Sequence, residues 1–137
     1  MKRNILLNPG PATTTDSVKR ALVVPDICPR EKEFQAVMGQ IRKDLTRIVG
    51  GSEKDFSTVL LAGSGTAAMD ACISSVVPDG KKIAIVVNGA YGSRMVRIAR
   101  AYRIPVVEIK AKWDEQVDLV MIEEVLKKDK QVAVVAM

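Results

Sequence analysis

The 137-residue sequence predicts an α/β fold: a mostly parallel sheet with helices on both faces. Three observations lead there. Short, nearly continuous apolar runs recur along the chain as STVLLA (57–62), KIAIVV (82–87), PVVEIK (105–110) and QVAVVA (131–136). Between them lie segments whose apolar residues fall at helical spacing. The composition, 47% hydrophobic, permits a sizeable core.

The elements follow in order. Ile5 to Leu7 is a short apolar run broken by Asn8-Pro9-Gly10-Pro11, where two prolines around a glycine make an extended or turned arm. Thr13 and Asp16 have capping-box spacing and predict a short helix after the arm. Pro25 and Pro29 bracket an irregular piece. From Glu31 to Val49 one face collects Phe34, Val37, Met38, Ile41, Leu45, Ile48 and Val49, and Gly50-Gly51 stops the pattern, so a helix with a core-facing stripe is expected. After the first strand a helix runs from about Gly65 to Val77, ended by Pro78. A second follows KIAIVV, with Met95, Ile98, Ala99 and Tyr102 inward. A third spans LVMIEEVLKK, with Leu119, Ile122, Val125 and Leu126 together. Trp113, in a loop, is expected to anchor the core.

Composition narrows the chemistry. The formal charge of +5 is mild, and no basic block is interleaved with aromatics, so nothing argues for nucleic acid, while an anionic small substrate is compatible. The chain has no histidine, which removes the usual zinc ligand, the usual general base and any Ser-His pair; no metal is expected. Cys28 and Cys72 form no C-x-x-C and read as two buried thiols of a reducing compartment, here the cytoplasm. No apolar run approaches the roughly 18 residues of a membrane span. An apolar strand reaching the last residue, Met137, reads as a chain cut short at its carboxyl end.

Two loops carry candidate chemistry. In LLAGSGTAAMD, Gly63 and Gly65 permit close approach, the next helix offers free N–H groups, and Ser64 and Thr66 add hydroxyls: either a phosphate seat or a plain strand–helix turn. It is neither a Walker A motif nor G-x-G-x-x-G. In VVNGAYGSR, Tyr91 either stacks on a flat ring or packs, Gly92 stands where the next helix begins, and Arg94 either meets an anion or is solvated. Both loops follow successive strands and so can face one crevice.

Taken together, LLNPGPATTT, LLAGSGTAAMDA and VVNGAYGSRMVRIA resemble the amino-terminal part of the 2-aminoethylphosphonate–pyruvate aminotransferases. These are pyridoxal-phosphate enzymes of fold type I, in the class V group that includes alanine–glyoxylate aminotransferase. The resemblance runs the length of the chain. It implies an incomplete large domain, with residues 1–30 as arm and short helix and 31–137 as a partial cofactor-binding domain. It further implies that Ser64, Gly65 and Thr66 hold the phosphate of pyridoxal 5′-phosphate, that Tyr91 stacks on its ring, and that Asn8, Pro9, Gly10 and Pro11 line the substrate pocket. The implied reaction moves the amino group of 2-aminoethylphosphonate to pyruvate, giving phosphonoacetaldehyde and L-alanine, in a homodimer. No lysine present matches the family's Schiff-base lysine, which would lie downstream with the cofactor aspartate, so no catalytic residue is assigned and these 137 residues alone are expected to be inactive. Two alternatives remain: a related alanine or serine aminotransferase using glyoxylate or pyruvate, and a non-catalytic α/β phosphate-binding module.

Overall fold

A computed structural model describes residues 4–8 and 10–137. They fall into two units, Met1–Leu60 and Leu61–Met137.

The first unit holds α1 (Asp16–Arg20) and α2 (Lys32–Ile48). The expected capping box at Thr13 is not used. Thr15 is the N-cap of α1, and Thr13 Oγ1 instead accepts the Leu6 N–H at 2.7 Å, beside an isolated antiparallel bridge between Leu7 and Ala12. Thr13 is thus consumed in closing its own arm. α2 matches its predicted bounds, and Gly50 takes the left-handed conformation (φ 75°) that ends it. Its apolar stripe is not a core. Phe34 and Met38 are half-buried, but Val37, Ile41, Leu45, Ile48 and Val49 are exposed. The residue that is buried is Thr46, whose hydroxyl donates to the Arg42 carbonyl at 2.9 Å and hydrogen-bonds the Thr58 hydroxyl at 2.8 Å.

That contact bears on the predicted strand at STVLLA, which does not form. Arg42 donates from Nε to the Thr58 carbonyl (2.8 Å) and from Nη2 to Ser57 Oγ (2.6 Å). A strand is a ladder of main-chain bonds to a neighbour. Here a side chain takes an acceptor that the ladder would use, and Val59 and Leu61 stay exposed.

The second unit holds α3 (Gly65–Val76), β1 (Lys82–Val87), α4 (Ala90–Ala101), β2 (Val106–Lys110), α5 (Leu119–Lys128) and β3 (Val132–Ala136). The three strands are parallel, in the order β2-β1-β3, with Ile83 opposite Val106 and Ile85 opposite Glu108 across the β1–β2 pair. Central position explains the unbroken apolar run of β1: Ile83, Ala84, Ile85 and Val86 have no exposed surface. Ile83 and Ile85 pack with Ile73 of α3 and Met95, Val96 and Ala99 of α4. Ala84 and Val86 face Ile109 and, on α5, Ile122 and Val125. Helices therefore cover both faces, as the sequence predicts. Full burial of a side chain the size of Ile83 or Val86 stabilises by about 1.5–3 kcal/mol, so β1 anchors this unit.

Several positional expectations fail. Tyr102 is not inward but half-exposed, because its hydroxyl reaches Asp70; Leu119 and Leu126 lie at the solvent side of α5; Trp113, 78% exposed, anchors nothing. Cys28 and Cys72 are free, but both are exposed rather than buried. Cys72 adjoins Ile73, and a helix turns neighbouring positions about 100° apart, so only one of the pair faces the sheet.

Candidate functional site

The glycine loop is shaped by a close approach. A Cβ on Gly63 would sit 2.9 Å from the Cβ of Ala67, so only glycine lets the chain fold this tightly onto the first turn of α3. Ser64 follows as the N-cap, in extended conformation, and its Oγ accepts the Ala67 N–H at 3.3 Å. The first intrahelical bond runs from the Ala68 N–H to the Ser64 carbonyl at 3.2 Å. The N–H groups of Gly65 and Thr66 precede it and have no partner within the helix. A Cβ built on Gly65 would meet nothing within 4 Å. Open space, free N–H groups and the positive end of a 12-residue helix coincide at Gly65.

The second loop is brought to β1 by another close approach. α4 begins at Ala90, two residues before the predicted start, so Gly92 lies inside its first turn. It is buried against the main chain of Val86 and Val87 at the carboxyl end of β1. Tyr91, 55% exposed, therefore stands beside that strand end instead of packing inward.

Arg94 joins the two loops. Its Nη1 donates to Thr66 Oγ1 at 2.9 Å, and its guanidinium carbon lies 5.3 Å from the centroid of the Tyr91 ring, within cation–π range. Of the two possibilities open to Arg94 in the sequence, solvation and anion contact, the structure realises neither alone: the residue bridges a hydroxyl and an aromatic face. About two turns further along α4, at its C-cap, Tyr102 donates to Asp70 Oδ2 at 2.9 Å, again tying α4 to α3. This hydrogen bond, and then the Asp70 charge, raise the Tyr102 pKa above the ordinary phenol value.

Ser64, Gly65, Thr66 and Tyr91 thus belong to one unit, and Arg94 links Thr66 to Tyr91. Asn8, Gly10 and Pro11, all exposed, belong to the arm of the other unit, and Pro9 lies outside the described residues. Sequence reasoning missed the role of Gly92, although a glycine inside a helical pattern is the signal that finds it. Elsewhere a groove of 330 Å³ runs along α4 past Ser93, Arg97 and Arg100 to Glu108, and is lined by none of Ser64, Gly65, Thr66 and Tyr91. Among the described residues no cluster of His, Cys, Asp or Glu could hold a metal ion, and no helix is long and apolar enough to cross a membrane.

Comparison with known proteins adds the following. No protein-family model matches the chain. A 2-aminoethylphosphonate–pyruvate transaminase of Bacillus cereus is 37% identical over 132 residues, covering 96% of this chain and 38% of that protein. Its counterpart in Bacillus cytotoxicus is 38% identical over 132 residues, covering 96% of this chain and 36% of the relative. The chain thus spans little more than a third of the length of these curated relatives. Among solved structures, alanine–glyoxylate aminotransferase from Nostoc sp. superposes with a TM-score of 0.84 at 29% identity, over 99% of this chain and 36% of the other. Pyridoxamine–pyruvate aminotransferase from Mesorhizobium loti, at 20% identity and a TM-score of 0.83, shares the fold, over 98% of this chain and 33% of its own. By sequence the chain is similar to the amino-terminal portion of 2-aminoethylphosphonate–pyruvate transaminases, and by fold to solved class V aminotransferases.

Proposed function

We propose that this chain contributes the phosphate grip and the ring support of a transaminase that moves the amino group of 2-aminoethylphosphonate to pyruvate, yielding phosphonoacetaldehyde and L-alanine. One juxtaposition supports the reading most: the open amide-bearing turn at Gly65 and the exposed ring of Tyr91 lie on helices that Arg94 ties together. A phosphate monoester fits the donors there. The N–H groups of Gly65 and Thr66, with the hydroxyls of Ser64 and Thr66, form a set rich in hydrogen-bond donors, and the space that a Cβ at Gly65 would fill is free.

When bound, pyridoxal phosphate supplies an electron-accepting ring that takes up density as a substrate C–H bond breaks. The residues of this chain orient it. Ser64, Gly65 and Thr66 anchor the phosphate, and Tyr91 lies against the ring, so that the ring plane is held relative to the bond that breaks. The arm at Asn8, Pro9, Gly10 and Pro11 is assigned to the substrate pocket. On this reading residues 1–30 serve substrate and 31–137 serve cofactor, in a cytoplasmic homodimer without nucleic-acid or membrane partners. The resemblance matches none of the chain's lysines to the family's cofactor lysine, and on that reading the 137 residues alone are expected not to turn over.

The test is an alanine-formation assay on the product of the complete reading frame, with 2-aminoethylphosphonate and pyruvate set against alanine or serine with glyoxylate. Preference for the first pair supports the assignment. Preference for the second moves the chain to the alanine–glyoxylate branch. Binding of phosphate compounds without turnover of any pair returns it to a non-catalytic module.

A further inference from the structure

We propose that Arg94 is a positioning residue that couples the phosphate grip to the ring support, an inference that rests on the functional reading above. The argument starts from donor and acceptor capacity. A guanidinium has only N–H donors, so in the 2.9 Å contact Thr66 Oγ1 is the acceptor. The single O–H of Thr66 is then turned away from Arg94 and is free to donate. Ser64 is set in the same sense, because its Oγ accepts the Ala67 N–H. Both hydroxyls of the loop are therefore oriented, before any ligand arrives, as donors toward an acceptor. A phosphate dianion, with no proton to offer, is the ligand such a set selects. Neutral sugars and alcohols, which need acceptors as well, are matched less well.

The same guanidinium lies over Tyr91. The cation takes one ring face, and Tyr91 is 55% exposed, so a flat ligand can reach the ring. Arg94 sits one helical turn beyond Tyr91, the spacing at which side chains on a helix meet. Fixing Arg94 on Thr66 therefore fixes the Tyr91 ring as well. Arg94 is half-buried, while Ser64, Thr66 and Tyr91 are exposed, so the bridge backs the site and leaves its ligand-facing groups accessible. Binding at either end orders the bridge and favours binding at the other, a coupling free energy that is reciprocal.

The experiment titrates pyridoxal phosphate, pyridoxal and inorganic phosphate into the full chain, as expressed from its complete reading frame. It is repeated in T66A, Y91A, R94A and R94K, with calorimetry as the readout and circular dichroism as the check on folding. In the unsubstituted protein, saturating inorganic phosphate strengthens pyridoxal binding. R94A abolishes that gain and weakens pyridoxal phosphate by roughly tenfold or more, the effect of losing one charge-assisted hydrogen bond. R94K keeps the charge but not the planar fork. It recovers part of the phosphate affinity without the coupling, and serves as the test if R94A does not fold. If T66A and Y91A weaken pyridoxal phosphate while the folded Arg94 variants bind and couple as the unsubstituted protein does, the role of Arg94 is refuted and the site assignment stands. If the unsubstituted protein does not bind pyridoxal phosphate, or if T66A and Y91A leave binding unchanged, the site assignment fails and the inference falls with it.

Discussion

Gly92 of α4 lies directly on the main chain of Val86: a Cβ at position 92 would collide with the Val86 carbonyl oxygen and stand 2.9 Å from Val87 Cα. The obstacle is backbone of the central strand, buried at Val86, which cannot rotate aside as a side chain can.

Gly92→Ala is therefore expected to destabilise the protein. Helix propensity favours alanine by about 1 kcal/mol, but overpacking against a rigid core costs about 1–3 kcal/mol, and here the contact is with main chain. A net loss is expected, read as a lower urea midpoint at constant slope, with weaker pyridoxal-phosphate binding as the Tyr91 end of α4 is pushed off the strand. An unchanged midpoint would contradict the packing described.

Gly65 makes the opposite case. Because a Cβ there meets nothing, Gly65→Ala is expected to leave stability unchanged or raise it by up to about 1 kcal/mol. The methyl enters the space assigned to the phosphate, so pyridoxal-phosphate affinity falls. Loss of binding without loss of melting temperature separates this site from a plain turn; equal binding would count against the phosphate assignment.

Asp129 sets an acid limb. The Lys82 ammonium donates to its carboxylate at 2.7 Å and the Gln131 N–H at 2.9 Å, and these contacts, Lys82 first, hold its pKa below the ordinary value. A depressed folded-state pKa means stability that is complete above the unfolded value, about 4, and lost as pH falls through the folded one. Asp129→Asn is expected to flatten the decline of stability below about pH 4, measured as urea midpoint against pH. An identical acid slope in the two proteins would show that the pair does not contribute.

Tyr102 sets an alkaline limb of opposite sense. Its folded-state pKa is raised, first by the hydrogen bond to Asp70 and then by the charge of that carboxylate, so the contribution is complete below the ordinary phenol value and lost as pH rises through the raised one. Among these 137 residues a Tyr91→Phe background leaves Tyr102 as the tyrosine to be titrated by phenolate absorbance. Adding Asp70→Asn is expected to bring its midpoint down toward the ordinary value. A midpoint that stays in place would mean the pair does not persist in solution.

How far the sequence could be read differs between elements for identifiable reasons. KIAIVV, PVVEIK and QVAVVA were legible because a parallel strand buried in a sheet needs an apolar residue at nearly every position. STVLLA has the same look, but Thr46 and Arg42 of α2 engage Ser57 and Thr58 first, a competition that no local pattern reveals. The loop at Ser64 was legible because a serine N-cap after a glycine has a local cause. The role of Arg94 was not, because its partners are Thr66, distant in sequence, and the face of a ring whose orientation depends on packing.

By itself, then, the sequence determined the kinds and order of the elements apart from the strand expected at 57–62, and the glycine turn at 63–66, since periodicity and capping are properties of neighbours along the chain. The tertiary structure decided which apolar stripes are covered, that Gly92 seats α4 on β1, and that Thr66 and Tyr91 share one arginine. Those outcomes depend on which atoms from separated segments occupy the same volume, and close packing between distant residues leaves no periodic trace in the order of amino acids.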